Sequence, residues 1–592
     1  MSARPAARRG PGRGKPSTPR RIRVLIGLTA LFLLVALARA VQLQAVDHPA
    51  FAARALDQHR TTITLHAARG EIVDRRGRRL AVSEEAVTIG AYPREISQRT
   101  RVAVAVANAT GQDPGLLADR LRNTKALHID LVRQADPEAA QALKDKNIRG
   151  LTFTPEERRV YPSGIAAQVI GTVDIESNGL AGLENEYDGV LHGRDGREEH
   201  VRDPQGDTIS VVSSQPAHQG ETLALTLDRD IQAIAEEVLR RTQETSKAKG
   251  VTAVILDPST GGVLAMASSP GPGADGYRKA TADEQRIRAI TDQYEPGSTF
   301  KAVTVAAGLA EKRFGPLTRI EVPSVFKLYE YPLVDADPDP GTKTVADILK
   351  VSSNVGTARL AYEYLGGSRG DSDHGRLLAK WIDRLGFGAR TGIDLPGETA
   401  GAVLPYNRWS GTSILNIPIG YGTAVTPIQL ASLYATIANG GIAVRPHLAA
   451  RVGDRPPIQP KAKRLLPERV AKQLTQMLIG VVQEDGTGHQ AAIPGYTVAG
   501  KTGTTKKIDP DGTYSDSRYV AWFVGFAPAS HPKVVTLVMV DEPQGDRYYG
   551  GEVAAPAFAE LTSRALLALG VQRDRSIDPA ADAAREAATQ TP

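Results

Sequence analysis

Three short motifs follow one another in the second half of this 592-residue chain: Ser298-Thr299-Phe300-Lys301, Ser352-Ser353-Asn354 and Lys501-Thr502-Gly503-Thr504. A serine hydroxyl is a weak nucleophile at neutral pH and needs a neighbouring base. A lysine amine can be that base only when neutral, and burial or a second cation nearby lowers its pKa. A site that gathers Lys301 and Lys501 supplies both conditions, so the chemistry to expect is serine acyl transfer.

An S-x-x-K match alone says little, because the chain holds four: Ser246/Lys249, Ser298/Lys301, Ser324/Lys327 and Ser530/Lys533. Context separates them. Ser246 closes a polar helical stretch, Ser324 follows Pro323 with no sustained period, and Ser530 follows Ala-Pro-Ala in a turn between two strands. Ser298 instead follows the Pro296-Gly297 break, and Phe300, Ala302, Val303, Val305, Ala306, Ala307 and Leu309 come after it with the density of a buried helix. Positions i and i+3 share a helix face, which brings Lys301 towards Ser298. The chain has a single S-x-N and a single K-T-G, so order and separation carry most of the specificity.

The elements that must hold these residues are also readable. Tyr496–Thr504 reads as a strand with glycines where a substrate backbone could lie close. A polar loop with Asp509-Pro510-Asp511-Gly512 follows, then strand-like runs Tyr519–Phe526 and Lys533–Val540, an antiparallel sheet with K-T-G on one strand. Competing chemistry is thin: there is no G-x-S-x-G elbow, no cysteine, and no histidine pair spaced for one helix face. Asp335-Ala336-Asp337-Pro338-Asp339 imitates the opening of a calcium loop, but Pro340 and Ala346 stand where glycine and a bidentate glutamate are needed. It reads as a solvated loop, and no metal or cofactor is expected.

The chain is too long for one core, and 41% hydrophobic with 23% charged residues describes folded material in two or more domains. The net charge of +6 is a property of residues 1–23, which carry eight Arg or Lys and no acid and leave the remainder at −2. It gives no argument for nucleic-acid binding. Val24–Ala38 then run without a charge, and a span of about 20 residues places a membrane helix at about 22–43, with Arg39 snorkelling near its outer end. A basic tail first puts the N-terminus inside. A cleaved signal peptide is the rival reading, since Ala38-Arg39-Ala40 resembles a cleavage site. Either way the bulk of the chain is exported, and the lack of cysteine agrees with an oxidising compartment.

This divides the chain into a basic cytoplasmic tail (1–21), the anchor (22–43), a first exported region (44–218), a mixed α/β catalytic domain (219–570) and a disordered Ala-, Asp- and Arg-rich tail (571–592). The first exported region shows amphipathic helical stretches near 100–146 and no catalytic constellation. Its string Arg69-Gly70-Glu71-Ile72-Val73-Asp74-Arg75-Arg76-Gly77 reads as a hairpin with solvated charges. From residue 219 the pattern becomes strand 222–226, helix 230–242, strand 251–256 and strand 262–267.

Together these residues resemble the class B penicillin-binding proteins, bacterial D,D-transpeptidases, from the membrane segment to about residue 569. The resemblance rests on the three motifs and on Arg69–Gly77, Arg159-Val160-Tyr161-Pro162, Gly182-Leu183-Glu184, Tyr294-Glu295-Pro296-Gly297-Ser298, Thr426-Pro427-Ile428-Gln429 and Tyr548-Tyr549-Gly550-Gly551. Within the family the chain is most similar to the septal division transpeptidases of Gram-negative bacteria, on Thr504-Thr505-Lys506-Lys507 and the Tyr-Tyr-Gly-Gly stretch.

The resemblance implies an α+β transpeptidase fold of the penicillin-binding/β-lactamase type on an elongated, dimerisation-type pedestal with one N-terminal transmembrane helix, in the bacterial inner membrane with the catalytic domain in the periplasm. It implies that Ser298 attacks the D-Ala-D-Ala end of a peptidoglycan stem peptide with Lys301 taking its proton. Ser352 would relay a proton, Asn354 would hold the substrate amide, and Lys501, Thr502 and Thr504 beside Gly503 would bind the terminal carboxylate. The N–H groups of Ser298 and Thr504 would form the oxyanion hole. β-Lactams would acylate Ser298, and a separate FtsW-like glycan polymerase and other division proteins would be partners. Two alternatives stay open: a β-lactamase or D,D-carboxypeptidase on the same fold, and a non-enzymatic division scaffold or penicillin sensor.

Overall fold

The apolar runs in the second half of the chain are strands covered on both faces, which is why they read as continuous rather than alternating. In this computed structural model, which describes residues 18–47, 60–123, 125–202, 208–272, 276–328, 330–366 and 375–576, they form a five-stranded antiparallel sheet. Its order is Val263–Ser269, Gly250–Leu256, Val534–Asp541, Tyr514–Ala527, Ala499–Ile508. The three strands expected from the sequence around K-T-G are all present, each starting or ending a few residues from its predicted bound. Register pairs Lys501 with Val524, Gly503 with Trp522 and Thr504 with Ala521, so the K-T-G strand forms one edge of the sheet.

One face of the sheet, with Ala253, Phe523 and Val538, packs under the helices Arg229–Ser246 and Gly550–Ala568 through Ile231, Val238, Phe558 and Leu561. The other face, with Val254, Val524 and Leu537, packs on the helices Lys301–Ala310 and Pro427–Ala438. Each such fully buried aliphatic or aromatic side chain contributes about 1.5–3 kcal/mol. The sheet is therefore held between two helical clusters, and its K-T-G edge is left to border a cleft.

The described residues fall into two compact units, one within Met1–His66 and Asp195–His218, the other within Ala67–Arg194 and Gln219–Pro592. The first holds the helix Thr18–Val41, continued by a π-turn Gln42–Val46, and a three-stranded antiparallel sheet of Arg60–Leu65, Gly196–Arg202 and Thr208–Gln215. The most apolar 18 consecutive residues of Arg20–Val46 have a mean hydropathy of 2.5, and none of them is buried against protein. At 1.5 Å per residue a 24-residue helix is about 36 Å long, enough for a bilayer core. The expected basic tail lies mostly, and the expected disordered tail mostly, outside the described residues.

In the second unit the stretch expected to hold amphipathic helices carries Arg99–Thr110, Pro114–Arg122 and Pro137–Lys144, packed on the strands Arg79–Ala91, Ile129–Ala135 and Leu151–Val160. The strand Ile72–Val73 pairs with Arg79–Ala91 on one side and with Leu223–Leu225 on the other, so backbone hydrogen bonds run without a break from this region into the chain beyond residue 219.

The charges of Arg69–Gly77 are not all solvated, which corrects the sequence expectation. Arg75 and Arg76 are exposed, but Arg69 and Asp74 are 3% and 1% exposed. Arg69 Nε donates to Glu184 Oε2 at 2.6 Å and its Nη1 to Asp188 Oδ1 at 2.7 Å, while Arg159 Nε donates to Glu184 Oε1 at 2.7 Å. Asp74 accepts from the N–H groups of Arg76, Arg78 and Arg229, and Arg78 reaches Asp228 and Asp230 at the start of the helix Arg229–Ser246. A local pattern of alternating charge looks solvated because the partners lie more than 100 residues away. Arg69, Arg159 and Glu184, three of the residues in the string signatures, thus form one buried ion cluster.

Removing one member of such a cluster leaves uncompensated buried charge. Glu184→Ala is expected to destabilise the chain by about 3–5 kcal/mol, read as a fall in the urea midpoint of the full-length protein in detergent. A change below 1 kcal/mol would mean that the two guanidinium groups find water instead.

Candidate active site

Ser298 sits where three elements meet. Gly297 takes a φ of +52°, a region that suits glycine, and its N–H donates to Gly420 O at 3.2 Å. Thr299 Oγ1 donates to Pro296 O at 2.6 Å, and Tyr434 OH from the helix Pro427–Ala438 donates to Thr299 O at 2.9 Å. These bonds tighten Gly297–Phe300 into a 3-10 turn before the α-helix begins at Lys301. The sequence expectation of a buried helix here is met with that one difference: the serine lies on the tight first turn, half-buried, and the helix behind it is wholly buried up to Leu309.

The K-T-G edge lies directly against this turn. A Cβ on Gly503 would sit 2.9 Å from both Pro296 O and Thr299 Cγ2, so the close approach of strand to turn requires glycine. Thr505 Oγ1 donates to Glu295 O at 3.1 Å and closes the same seam. The Tyr-Tyr-Gly-Gly stretch braces the strand from the far side: Gly550 N donates to Thr504 Oγ1 at 2.9 Å, and a Cβ there would lie 2.3 Å from Trp522 O.

Ser352 carries the geometry that unites the motifs. It is a non-glycine residue with φ +60°, a strained conformation that costs about 1–3 kcal/mol, in the link Val351-Ser352-Ser353 between the helices Val345–Lys350 and Asn354–Leu360. Its hydroxyl accepts from Lys501 Nζ at 2.9 Å and from Lys301 Nζ at 3.3 Å, and its carbonyl accepts from Lys301 as well. Lys301 Nζ also donates to Asn354 Oδ1 at 2.8 Å. Both amines are fully buried. Burial pushes the Lys301 pKa down to about 7 against the pull of the Asp335 carboxylate, and burial with the adjacent Lys301 charge holds Lys501 well below the ordinary lysine range.

A cleft of about 800 Å³ opens on these groups, lined by Ser298, Ser352, Asn354, Thr502, Gly503 and Thr504, with Lys301 and Lys501 behind its wall. All eight residues singled out in the three motifs are thereby brought to one place. The hydrogen bonds of the Lys301 amine go to Ser352 and Asn354, not to Ser298. Catalytic hydrogen bonds commonly tighten only once substrate is bound.

Asp335 is the residue that the sequence reading placed wrongly. It is not part of a purely solvated loop: it lines the cleft, accepts from Ser353 Oγ at 2.7 Å, from Val355 N at 3.0 Å and from Asn354 N, and so holds the first turn of the helix that carries Asn354. Carboxylates belong at helix N-termini, but nothing within the string Asp335–Asp339 points to a helix 18 residues further on. Thr487 was also missed; its Oγ1 lies 2.9 Å from Thr502 Oγ1.

Known proteins are similar to this chain in sequence and fold. Residues 251–563 match the profile of the penicillin binding protein transpeptidase domain, and residues 64–225 that of the penicillin-binding protein dimerisation domain. The chain is 33% identical to the peptidoglycan D,D-transpeptidase FtsI of Escherichia coli K12 over 94% of this chain and 92% of that one. It is 34% identical to the penicillin-binding protein PbpB of Mycobacterium tuberculosis H37Rv, covering 90% and 83%. The crystal structure of penicillin-binding protein 3 of Mycobacterium tuberculosis in complex with aztreonam superposes with a TM-score of 0.67 at 29% identity, over 87% of this chain and 99% of that one. With the motifs, the sheet-edge site and both domain profiles in agreement, the chain belongs to the class B penicillin-binding proteins.

Proposed function

We propose that this protein is a peptidoglycan D,D-transpeptidase that cross-links stem peptides through an acyl-enzyme on Ser298, at the division septum. The observation that carries the reading is the Ser352 hydroxyl held between two buried lysine amines at the edge of the Ser298 cleft. A Lys301 amine that titrates near 7 is neutral in a large fraction of molecules at physiological pH and can accept the Ser298 proton. Ser298 Oγ then attacks the penultimate D-Ala carbonyl, and the N–H groups of Ser298 and Thr504 stabilise the oxyanion. Ser352, bonded to both amines, passes a proton to the departing D-Ala nitrogen. Asn354 holds the donor amide, and Lys501, Thr502 and Thr504 receive the terminal carboxylate along the strand that Gly503 lets close on the nucleophile. An amine from a neighbouring stem peptide resolves the ester.

Penicillins present a strained amide with a carboxylate at the corresponding position, so they acylate the same serine. The apolar helix Arg20–Val46 fits a single-pass anchor; with a basic tail ahead of it, the N-terminus is cytoplasmic and the catalytic domain periplasmic. The segment 44–218 acts as the pedestal and 219–570 as the catalytic domain, and an FtsW-like glycan polymerase is the partner that supplies the strands to be joined.

Intact mass of the purified chain after incubation with benzylpenicillin tests the assignment. A persistent adduct on the wild type and none on Ser298→Ala is expected. Consumption of penicillin with no lasting adduct would make it a hydrolase, and penicillin left intact would remove the acylation site altogether.

Asp335 generates a second expectation. The working form of Lys301 is the neutral amine, so acylation rises with pH through about 7. The Asp335 charge favours the ammonium and holds that midpoint up; Asp335→Asn should therefore move it to lower pH. Asp335→Ala, which also loosens the Asn354 turn, should slow acylation about tenfold, the equivalent of one hydrogen bond to a charged group. Unchanged pH profiles of the acylation rate in both variants would contradict this role.

A further inference from the structure

A second groove of about 600 Å³ adjoins the catalytic cleft and shares Asn354, Tyr421 and Lys506 with it. Its walls come from the hairpin Val325–Leu328/Tyr331–Val334 through Tyr331, Leu333 and Val334, and from Ile419, Tyr421 and Tyr514. Tyr421 and Tyr514 meet edge to face with ring centroids 5.6 Å apart, and Tyr514 OH donates to Glu295 Oε1 at 3.1 Å, which also accepts from Gly422 N at 2.7 Å. The groove is thus built and braced independently of the motif residues other than Asn354. Neither Ser298 nor Thr502 and Thr504 line it, so it is not where the donor is attacked or its carboxylate held.

A transpeptidase has to take two peptides. The donor acyl group stays on Ser298 in the cleft while an amine approaches its ester carbonyl. Asn354 lines both the groove and the cleft, and its Oδ1 lies 2.8 Å from Lys301 Nζ, so a chain lying along this groove ends beside the amine that the transpeptidase reading makes the base. Lys506 stands at the junction in an ion pair with Asp516 at 3.0 Å, and Asp516 is 99% exposed. Such an exposed pair is weak, so the Lys506 ammonium is available to a carboxylate on an incoming ligand.

On the transpeptidase reading above, we propose that this groove between the Tyr331–Val334 hairpin and Tyr421–Tyr514 binds the acceptor stem peptide, its aliphatic amine-bearing side chain lying on Tyr331 and Leu333 with the nitrogen directed past Asn354 to the Ser298 ester. The amine nitrogen forms a C–N bond to the ester carbon, the C–Oγ bond to Ser298 breaks, the amine proton goes to neutral Lys301, and Lys301 returns it to Ser298 Oγ. No other reactant is needed.

The experiment uses the full-length chain, a thioester donor ending in a D-configured acyl group, and two acceptors: the tripeptide L-Ala-γ-D-Glu-L-Lys, which reaches the groove through its side chain, and glycine, which is too short to fill it. The variants are Tyr331→Ala and Val334→Lys, both at positions that are more than 40% exposed, where the fold is not at risk. Burst-phase acylation and the ratio of aminolysis to hydrolysis are followed separately. With the tripeptide, the aminolysis-to-hydrolysis ratio should fall about tenfold in each variant, the loss of one interface anchor, while the ratio with glycine and the acylation rate stay within twofold of wild type. An unchanged tripeptide ratio in both variants overturns the groove as the acceptor site, as does an equal fall with glycine. Failure of the wild type to acylate from the thioester would instead overturn the transpeptidase reading on which the inference rests.

Discussion

Burying two lysine amines within reach of one hydroxyl is the constraint on which the rest of this structure depends. An isolated buried ammonium is so unfavourable that the group gives up its proton instead. The fold removes water from Lys301 and Lys501 by placing one on a helix wholly inside the core and the other on a sheet strand, and then offers both the oxygens of Ser352. The result is an amine whose pKa is lowered towards 7 by burial, without a histidine beside it.

Meeting that constraint dictates the neighbouring backbone. Ser352 takes a left-handed conformation to present its hydroxyl and carbonyl together, and Asp335 secures the turn that follows it. Glycine stands where strand and Ser298 turn touch, at Gly297 and Gly503, and where the helix Gly550–Ala568 begins against the other side of the strand, at Gly550. The cleft can then be narrow without strain in the strand, since each contact that a side chain would block has no side chain. Behind it the five-stranded sheet, packed on both faces, keeps the K-T-G edge in register with Trp522 and Val524. Further away, the buried Arg69–Glu184–Arg159 cluster ties residues 67–194 to one another, and the bonds of Asp74 to Arg229 and of Arg78 to Asp228 fasten them to the residues beyond 219 in the same unit.

How much of this was legible follows the range of the interactions. Motif order, the apolar run after Ser298 and the strands around K-T-G were readable because each is a local pattern of two or three turns or one strand. The helix expected over 230–242 runs Arg229–Ser246, and the three-residue strand Leu223–Leu225 lies inside the one expected over 222–226. The π-turn Gln42–Val46 and the 3-10 turn at Ser298 were not readable, since both depend on hydrogen bonds rather than on composition. Burial of Arg69 and Asp74 and the capping role of Asp335 were missed for a stronger reason: a charged side chain next to a turn residue looks solvated unless its distant partner is known. Gly182-Leu183-Glu184 and Tyr548-Tyr549-Gly550-Gly551 could be noticed as strings, but only the folded chain shows that one neutralises two arginines and the other supports Thr504.

The most direct measurement is the titration of Lys301 itself, by the ¹³Cε shift of lysine-labelled protein with the resonance assigned through Lys301→Arg. A midpoint near pH 7 is the result this account predicts. A Lys301 that stays an ammonium above about pH 9, closer to the ordinary lysine range, would contradict it, because the amine beside Ser352 could then not take the Ser298 proton.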